Sequence, residues 1–147
     1  MNSVPTVPTG LSVPPEWTGY LHRVRWSEVD PQSIVFNSRY LEFCDAAMTE
    51  YYRILGFGPV PDGPMGFETV LAKVEINFLG SAVMDDLLHI MVSCTRMGNS
   101  SLDLGFEIFR EATQELLVTA TITYVNLDQS TRKSAPVPVE VRTAMGF

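Results

Sequence analysis

The chain is short of cations, of cysteine and of long apolar runs, and each shortage removes a class of protein. Lysine and arginine together number 10 against 17 aspartates and glutamates, a net charge of −7. A nucleic-acid binder needs a basic stripe to replace the counterions of a phosphate backbone, and this balance excludes one, although a polyanionic ligand is still admissible where cations gather locally. No stretch approaches the roughly 18 apolar residues of a membrane-spanning helix, and the N-terminus lacks the basic start and apolar run of a secretory leader. The expected location is therefore the cytoplasm, with no membrane partner. Only two cysteines are present, Cys44 and Cys94. They lie inside periodic apolar segments, without C-x-x-C spacing or clustered histidine, and are expected as buried free thiols; no metal site is expected.

What is present suits a folded domain. With 147 residues, 46% of them hydrophobic and 18% charged, the chain has length for one domain with a sizeable core. Residues 1–19 carry Pro5, Pro8, Pro14 and Pro15 among Ser, Thr and Gly, a composition that cannot propagate a helix. A flexible arm is expected there, and a single domain over 20–147.

From Tyr20 to Ser27, Tyr20, His22, Val24 and Trp26 alternate with Leu21, Arg23, Arg25 and Ser27, as a strand with unlike faces would. Four later segments alternate likewise: Ala72, Val74, Ile76, Phe78; Leu88, Ile90, Val92, Cys94; Leu102, Leu104, Phe106, Ile108; and Val118, Ala120, Ile122, Tyr124. The separators around Gly80-Ser81, Gly98-Asn99-Ser100 and Glu111 to Gln114 suit turns between antiparallel neighbours. His22 and His89 are expected as strand residues. Between the first strand and the rest, Tyr40, Cys44, Ala47, Met48, Tyr51 and Leu55 recur at three- and four-residue steps, a buried helical stripe. Asn37 or Ser38 can cap its start, and Gly56 can stop it, with Arg53 complementing the dipole. Residues 56–67 should form a loop, and Val139 to Met145 a short helix after Pro136 and Pro138. One strand, a long helix and four strands cannot build a doubly wound sheet. The simplest burial is an antiparallel sheet curled around the helix, an α+β layout.

The chemistry gathers between Val29 and Tyr52. Asp30 leads through a tight apolar loop into the helix start, where unpaired backbone N–H groups with partial positive charge can polarise a carbonyl and hold the oxyanion formed on attack. A nearby carboxylate can then act as nucleophile or general base. Taken alone, an Asp-Pro pair is a common turn starter.

The residues Asp30-Pro31, Ile34-Val35-Phe36, Tyr40-Leu41 and Asp45-Ala46-Ala47 form a segment that resembles the 4-hydroxybenzoyl-CoA thioesterase group of hotdog-fold enzymes. The resemblance covers most of residues 20 to 140. It implies a hotdog fold of about five strands wrapped around one long central helix, and hydrolysis of an acyl-CoA thioester to free acid and CoA. It further implies that Asp30 is the catalytic carboxylate and that the Asn37 backbone N–H polarises the thioester carbonyl. Ile34, Val35 and Phe36 become pocket wall against the acyl group. Arg96, Ser100, Ser101, Arg132 and Lys133 occupy places where the group grips CoA phosphates. CoA is then part of the substrate, no separate cofactor is needed, and a homodimer or homotetramer with sites between subunits is expected. Another hotdog branch uses a glutamate on the central helix, but Glu42, Asp45 and Glu50 lack that branch's glycine-rich surroundings, and solvated, capping or interface roles are expected for them.

Two positions depart from many relatives: Ser33 stands where glycine is common, and Asn37 where histidine is common. If the loop requires positive φ at Ser33, serine enters that region only at a cost. A non-catalytic acyl-CoA-binding or scaffold protein is the alternative these departures suggest. A hotdog hydratase ranks third, because that chemistry pairs histidine with an acid and neither His22 nor His89 lies in such a motif.

Overall fold

A computed structural model of the chain describes residues 19–57 and 67–147. The expected arm, apart from Gly19, and most of the expected loop after the helix lie outside the described residues. The elements are β1 (Tyr20–Arg23), a single 3₁₀ turn (Trp26–Glu28), α1 (Arg39–Leu55), β2 (Thr69–Phe78), β3 (Leu87–Met97), β4 (Ser101–Arg110), β5 (Glu115–Asn126) and α2 (Val139–Ala144). The five strands make one antiparallel sheet in the order β1-β3-β4-β5-β2.

The alternating apolar sets fall into register across this sheet. Because successive strand side chains point to opposite faces, residues directly opposite one another share a face. Ile90 lies opposite Ile108, Ile108 opposite Val118 and Val118 opposite Phe78; the next row runs Val92, Phe106, Ala120, Ile76, and the next Cys94, Leu104, Ile122, Val74. Rows of this kind make one continuous apolar surface, and α1 covers it with Tyr40, Phe43, Cys44, Ala47, Tyr51 and Tyr52, all buried. Two phenols bracket the helix along β3: the Tyr40 hydroxyl accepts the Ala82 amide at 3.0 Å, and the Tyr51 hydroxyl accepts the Cys94 amide at 3.4 Å. The first turn of α1 thus lies where β3 begins and its last turn near where β3 ends. Gly56 closes the helix in the left-handed region at φ 93°, which a residue without Cβ enters freely, and its N–H reaches the Arg53 carbonyl. Desolvation pushes the Cys44 thiol and the Tyr51 phenol up to about 12, and the Cys94 thiol up to about 11.

Three sequence expectations change. The first strand ends at Arg23 instead of running to Ser27, because the Glu28 carboxylate ties back the chain: it accepts the Arg25 amide at 2.8 Å and lies 2.8 Å from His22 Nε2. Trp26, expected on a strand face, is 76% exposed on the resulting turn. Ser38 occupies the helix N-cap position but makes no side-chain cap bond, since its backbone is already helical (φ −71°, ψ −18°) where a capping residue is extended. In β2 the alternation buries one face only in part: Val74 and Ile76 pack half-buried against the core, but the strand pairs with β5 alone, is bulged between Leu71 and Lys73, and leaves Leu71 and Phe78 exposed.

Candidate active site

The segment after the 3₁₀ turn doubles back at once. The Ser33 amide donates to the Asp30 carbonyl at 2.9 Å, the Asp30 amide donates to the Ile34 carbonyl at 2.9 Å, and Asp30 Oδ1 accepts the Gln32 amide at 2.7 Å. This turn places Ser33 at φ 63°, the left-handed conformation in which glycine costs least. The returning residues are held from both sides. The Phe36 amide donates to the Glu28 carbonyl at 2.9 Å, and the Val35 amide to the Ala82 carbonyl at 2.9 Å, with Ile34 bridged to Val83.

The connection on which this loop rests is itself pinned by one cation. Arg110, at the end of β4, donates through Nε to Asp86 Oδ2 at 3.1 Å and through Nη2 to the Ser81 carbonyl at 2.8 Å, and it also binds Glu115. Asp86 in turn accepts the Val83 amide at 2.9 Å. The chain from Gly80 to Val83 therefore forms a fixed floor under the Asp30 loop.

Two cavities open on that floor, and Asp30 lines both. The larger, about 570 Å³, is walled by Trp26, Val29, Asp30, Pro31, Ser33 and Met84. The smaller, about 180 Å³, is lined by Asp30, Gln32, Ile34, Val35, Asn37, Tyr40, Phe78, Gly80 and Ser81. The Arg39 amide already donates to the Phe36 carbonyl, whereas among the described residues the Asn37 amide donates to no backbone acceptor. Burial raises the Tyr40 phenol above its ordinary value, so its hydroxyl stays protonated and neutral. A carboxylate, a spare helix-start amide and a neutral wall in one small space can bind a polar carbonyl beside an acid.

The sequence-derived site residues divide into two groups. Asp30, Ile34, Val35 and Asn37 meet at the smaller cavity, but Phe36, expected as pocket wall, lines neither cavity and is 47% exposed. Of Ile34, Val35 and Phe36, Val35, whose amide is held by the Ala82 carbonyl, is the buried residue, and the strand-like alternation that turns it inward turns Phe36 outward. Arg96, Ser100, Ser101, Arg132 and Lys133 sit where β3 ends, β4 begins and β5 has ended, at the opposite end of the sheet from Asp30. With β3 11 residues long, the two groups are separated by roughly 30 Å at about 3.3 Å per residue. Arg96 is engaged there by Asp103 at 2.9 Å and Ser101 Oγ at 3.0 Å, and Arg132 by Glu68 at 3.0 Å. The Arg96 hydrogen bond, reinforced by Thr123, holds the Asp103 carboxyl below its usual range. The helix carboxylates line neither cavity: Glu42 pairs with Arg39, Glu50 with Arg53, and Asp45 is exposed.

Sequence reasoning missed Trp26, Met84, Gln32, Tyr40, Phe78, Gly80 and Ser81 as lining residues, and Arg110 beneath them. For Trp26 one signal existed: an indole four residues before the key carboxylate. For Phe78 through Ser81 and Arg110 there was none, since only strand pairing brings them to the loop.

A five-stranded antiparallel sheet of order β1-β3-β4-β5-β2 laid against one long helix, with an acidic loop at the helix start, is a hotdog fold. The family model described as the thioesterase-like superfamily matches residues 24–145, and the chain belongs to that superfamily, a thioester hydrolase. The match is to the superfamily and not to its hydroxybenzoyl branch in particular. The chain is similar to the acyl-CoA thioesterase YbgC of Haemophilus influenzae, with 26% identity over 125 residues that span 83% of this chain and 89% of that protein. It is also similar to the long-chain acyl-CoA thioesterase FadM of Escherichia coli, 29% identical over 121 residues covering 82% and 90% of the two chains. Among solved structures, a 1,4-dihydroxy-2-naphthoyl-CoA thioesterase from Synechocystis superposes with a TM-score of 0.78 at 23% identity, covering 86% of this chain and 93% of that one, a likeness of fold.

Proposed function

We propose that the chain hydrolyses acyl-CoA thioesters at the Asp30 loop, with Asp30 as nucleophile or general base and the Asn37 backbone N–H as the oxyanion donor. The observation that carries this is that Asp30 lines both cavities while the Asn37 amide, on the smaller one, has no backbone acceptor among the described residues. The thioester carbonyl oxygen accepts from the helix-start amide, which draws charge onto it as the carbon is attacked. In one route an Asp30 oxygen bonds to the carbonyl carbon, the C–S bond breaks, CoA leaves as thiolate, and water hydrolyses the acyl anhydride. In the other, Asp30 takes a proton from the attacking water. Both end in free acid and CoA, and neither calls on a metal or further cofactor.

The strained backbone at Ser33 supports the same assignment. A non-glycine residue is held at positive φ where the turn aims the carboxylate, and strain of this sort gathers at functional sites. The cations expected to grip CoA phosphates are at the far end of the sheet from Asp30 of the same chain, so in our reading a second copy supplies them and the site lies between subunits. The ten-residue edge strand β2, with Leu71 and Phe78 exposed on it and Leu79 exposed just beyond its end, is surface suited to such an assembly.

Thiol release from a panel of aromatic and aliphatic acyl-CoAs tests the reading. Asp30→Ala should lower kcat on the order of 10²-fold or more. In a single turnover in ¹⁸O-water, label in the Asp30 carboxylate marks the anhydride route with water attacking the Asp30 carbonyl carbon, whereas trapping of the acyl-Asp30 anhydride by hydroxylamine reads that route whichever carbon water attacks. Saturable binding by calorimetry with no turnover by the wild type would leave the acyl-binding alternative in its place.

A further inference from the structure

The larger cavity has a wall unlike that of the smaller one. Of its lining residues Trp26, Val29, Pro31 and Met84 are apolar, and only Asp30 and Ser33 are polar. Trp26 is 76% exposed and Met84 49%, an indole and a thioether that line the same cavity. The smaller cavity has Ile34, Val35 and Phe78 in its wall too, but sets among them Asp30, Gln32, Asn37, Tyr40 and Ser81, a lining with a much larger polar share. The two halves of a thioester have opposite needs. The pantetheine arm carries two amides and a hydroxyl, each costly to bury without a partner, whereas an acyl chain or ring loses nothing against an indole and gains from leaving water.

From this we infer that the acyl half lies in the larger cavity against Trp26 and Met84, and that the enzyme's substrates are thioesters of large apolar acids. The inference rests on the acyl-CoA reading of the Asp30 site. Size supports it. A cavity of about 150 Å³ is filled by one benzene ring, and this one is about 570 Å³, so an acetyl group leaves most of it to water while a long chain or fused ring fills it. The wall also suits a mixed set of large acids, since the indole face takes flat rings by stacking and the flexible thioether adapts to chains. Trp26 is therefore a specificity-determining residue. It is held in place by the Glu28 ties to Arg25 and His22, which shape the turn that carries it.

The test compares wild type, Trp26→Ala and Trp26→Phe on acetyl-CoA, benzoyl-CoA and dodecanoyl-CoA by thiol release. Wild type should favour the two large substrates, and Trp26→Ala should shrink the dodecanoyl-to-acetyl ratio of kcat/KM by about 10- to 100-fold, with Trp26→Phe recovering most of it. Trp26 is exposed, so folding is expected to survive. A loss equal on all three substrates would put the CoA arm in this groove and overturn the inference, as would no change on any. So would dissociation of an oligomer by Trp26→Ala in size-exclusion chromatography, which would make the indole a contact between copies. Calorimetry with the non-hydrolysable thioethers dodecyl-CoA and ethyl-CoA reads the same preference without turnover. A preference there that depends on Trp26, in a chain that hydrolyses nothing, would keep the acyl groove and discard the hydrolase mechanism. Absence of any preference in an active wild type would do the reverse.

Discussion

Ser33 offers a stringent test of the loop that carries the carboxylate. Its backbone is left-handed, at φ 63°. For an L-residue that conformation costs roughly 1–2 kcal/mol from the approach of Cβ to the carbonyl, and glycine removes the cost. Glycine also frees the unfolded chain, which takes back about 0.5–1 kcal/mol. Ser33→Gly should therefore stabilise the fold by a net of about 0.5–1 kcal/mol, or about 1–4 °C in Tm for a chain of this length. The turn bond is unaffected, because the Ser33 amide that donates to Asp30 belongs to the backbone. Ser33→Ala is the control: it removes only an exposed hydroxyl and keeps Cβ, so its effect should stay within about 0.5 kcal/mol of zero. Urea melts and scanning calorimetry of the three proteins read the difference. A Ser33→Gly variant less stable than Ser33→Ala would mean that this residue is not left-handed in solution, and the geometry argued for Asp30 would fall with it.

Two further outcomes follow from groups away from the carboxylate. Arg110 has 20% and Asp86 17% of its side chain exposed. Arg110→Ala should cost about 2 kcal/mol in urea unfolding, because Asp86 keeps the Val83 amide but loses the cation that balances its charge, and should lower kcat as the Gly80–Val83 floor loosens; Arg110→Lys should restore part of the stability and less of the rate, since an ammonium cannot span Asp86, Glu115 and the Ser81 carbonyl together. The buried thiols give a pH effect. Folding raises Cys44 to about 12 and Cys94 to about 11, above the unfolded thiol range, so their contribution is whole below that range and declines as pH climbs toward the folded values. Each thiol should remove up to about 1.4 kcal/mol per pH unit above about 8.5, Cys44→Ala should flatten the decline, and at pH 8 a thiol reagent should label neither cysteine until denaturant is added.

Much of the frame was legible in the letters because it is local. The helix from Tyr40 to its Gly56 stop and the four later strands follow from periods of 3.6 and 2, and the strand sets met in rows because antiparallel pairing preserves alternation. Where the alternation failed, something it does not encode had won: side-chain bonds from the Glu28 carboxylate to Arg25 and His22 ended the first strand, and lack of a neighbour beyond β2 left the apolar face of that strand only half-buried. The Asp30 to Asn37 pairing could be read because both groups lie in one short stretch, which a tight turn folds back on itself.

By itself, then, the sequence determined the long helix, the four later strands, the α+β layout and the place of the acidic loop ahead of the helix, all of which depend on residues a few positions apart. Only the tertiary structure decided what surrounds that loop. Met84, Gly80 and Ser81 arrive from the β2–β3 connection and Arg110 from β4, and Trp26 enters the wall because its strand stops early. The tertiary structure likewise put Arg96 and Arg132 at the opposite end of the sheet, since a strand of 11 residues runs between them and Asp30. Spacing along the chain carries no information about such meetings, because they are set by strand order and register, and these are decided by the packing of the whole sheet against one helix.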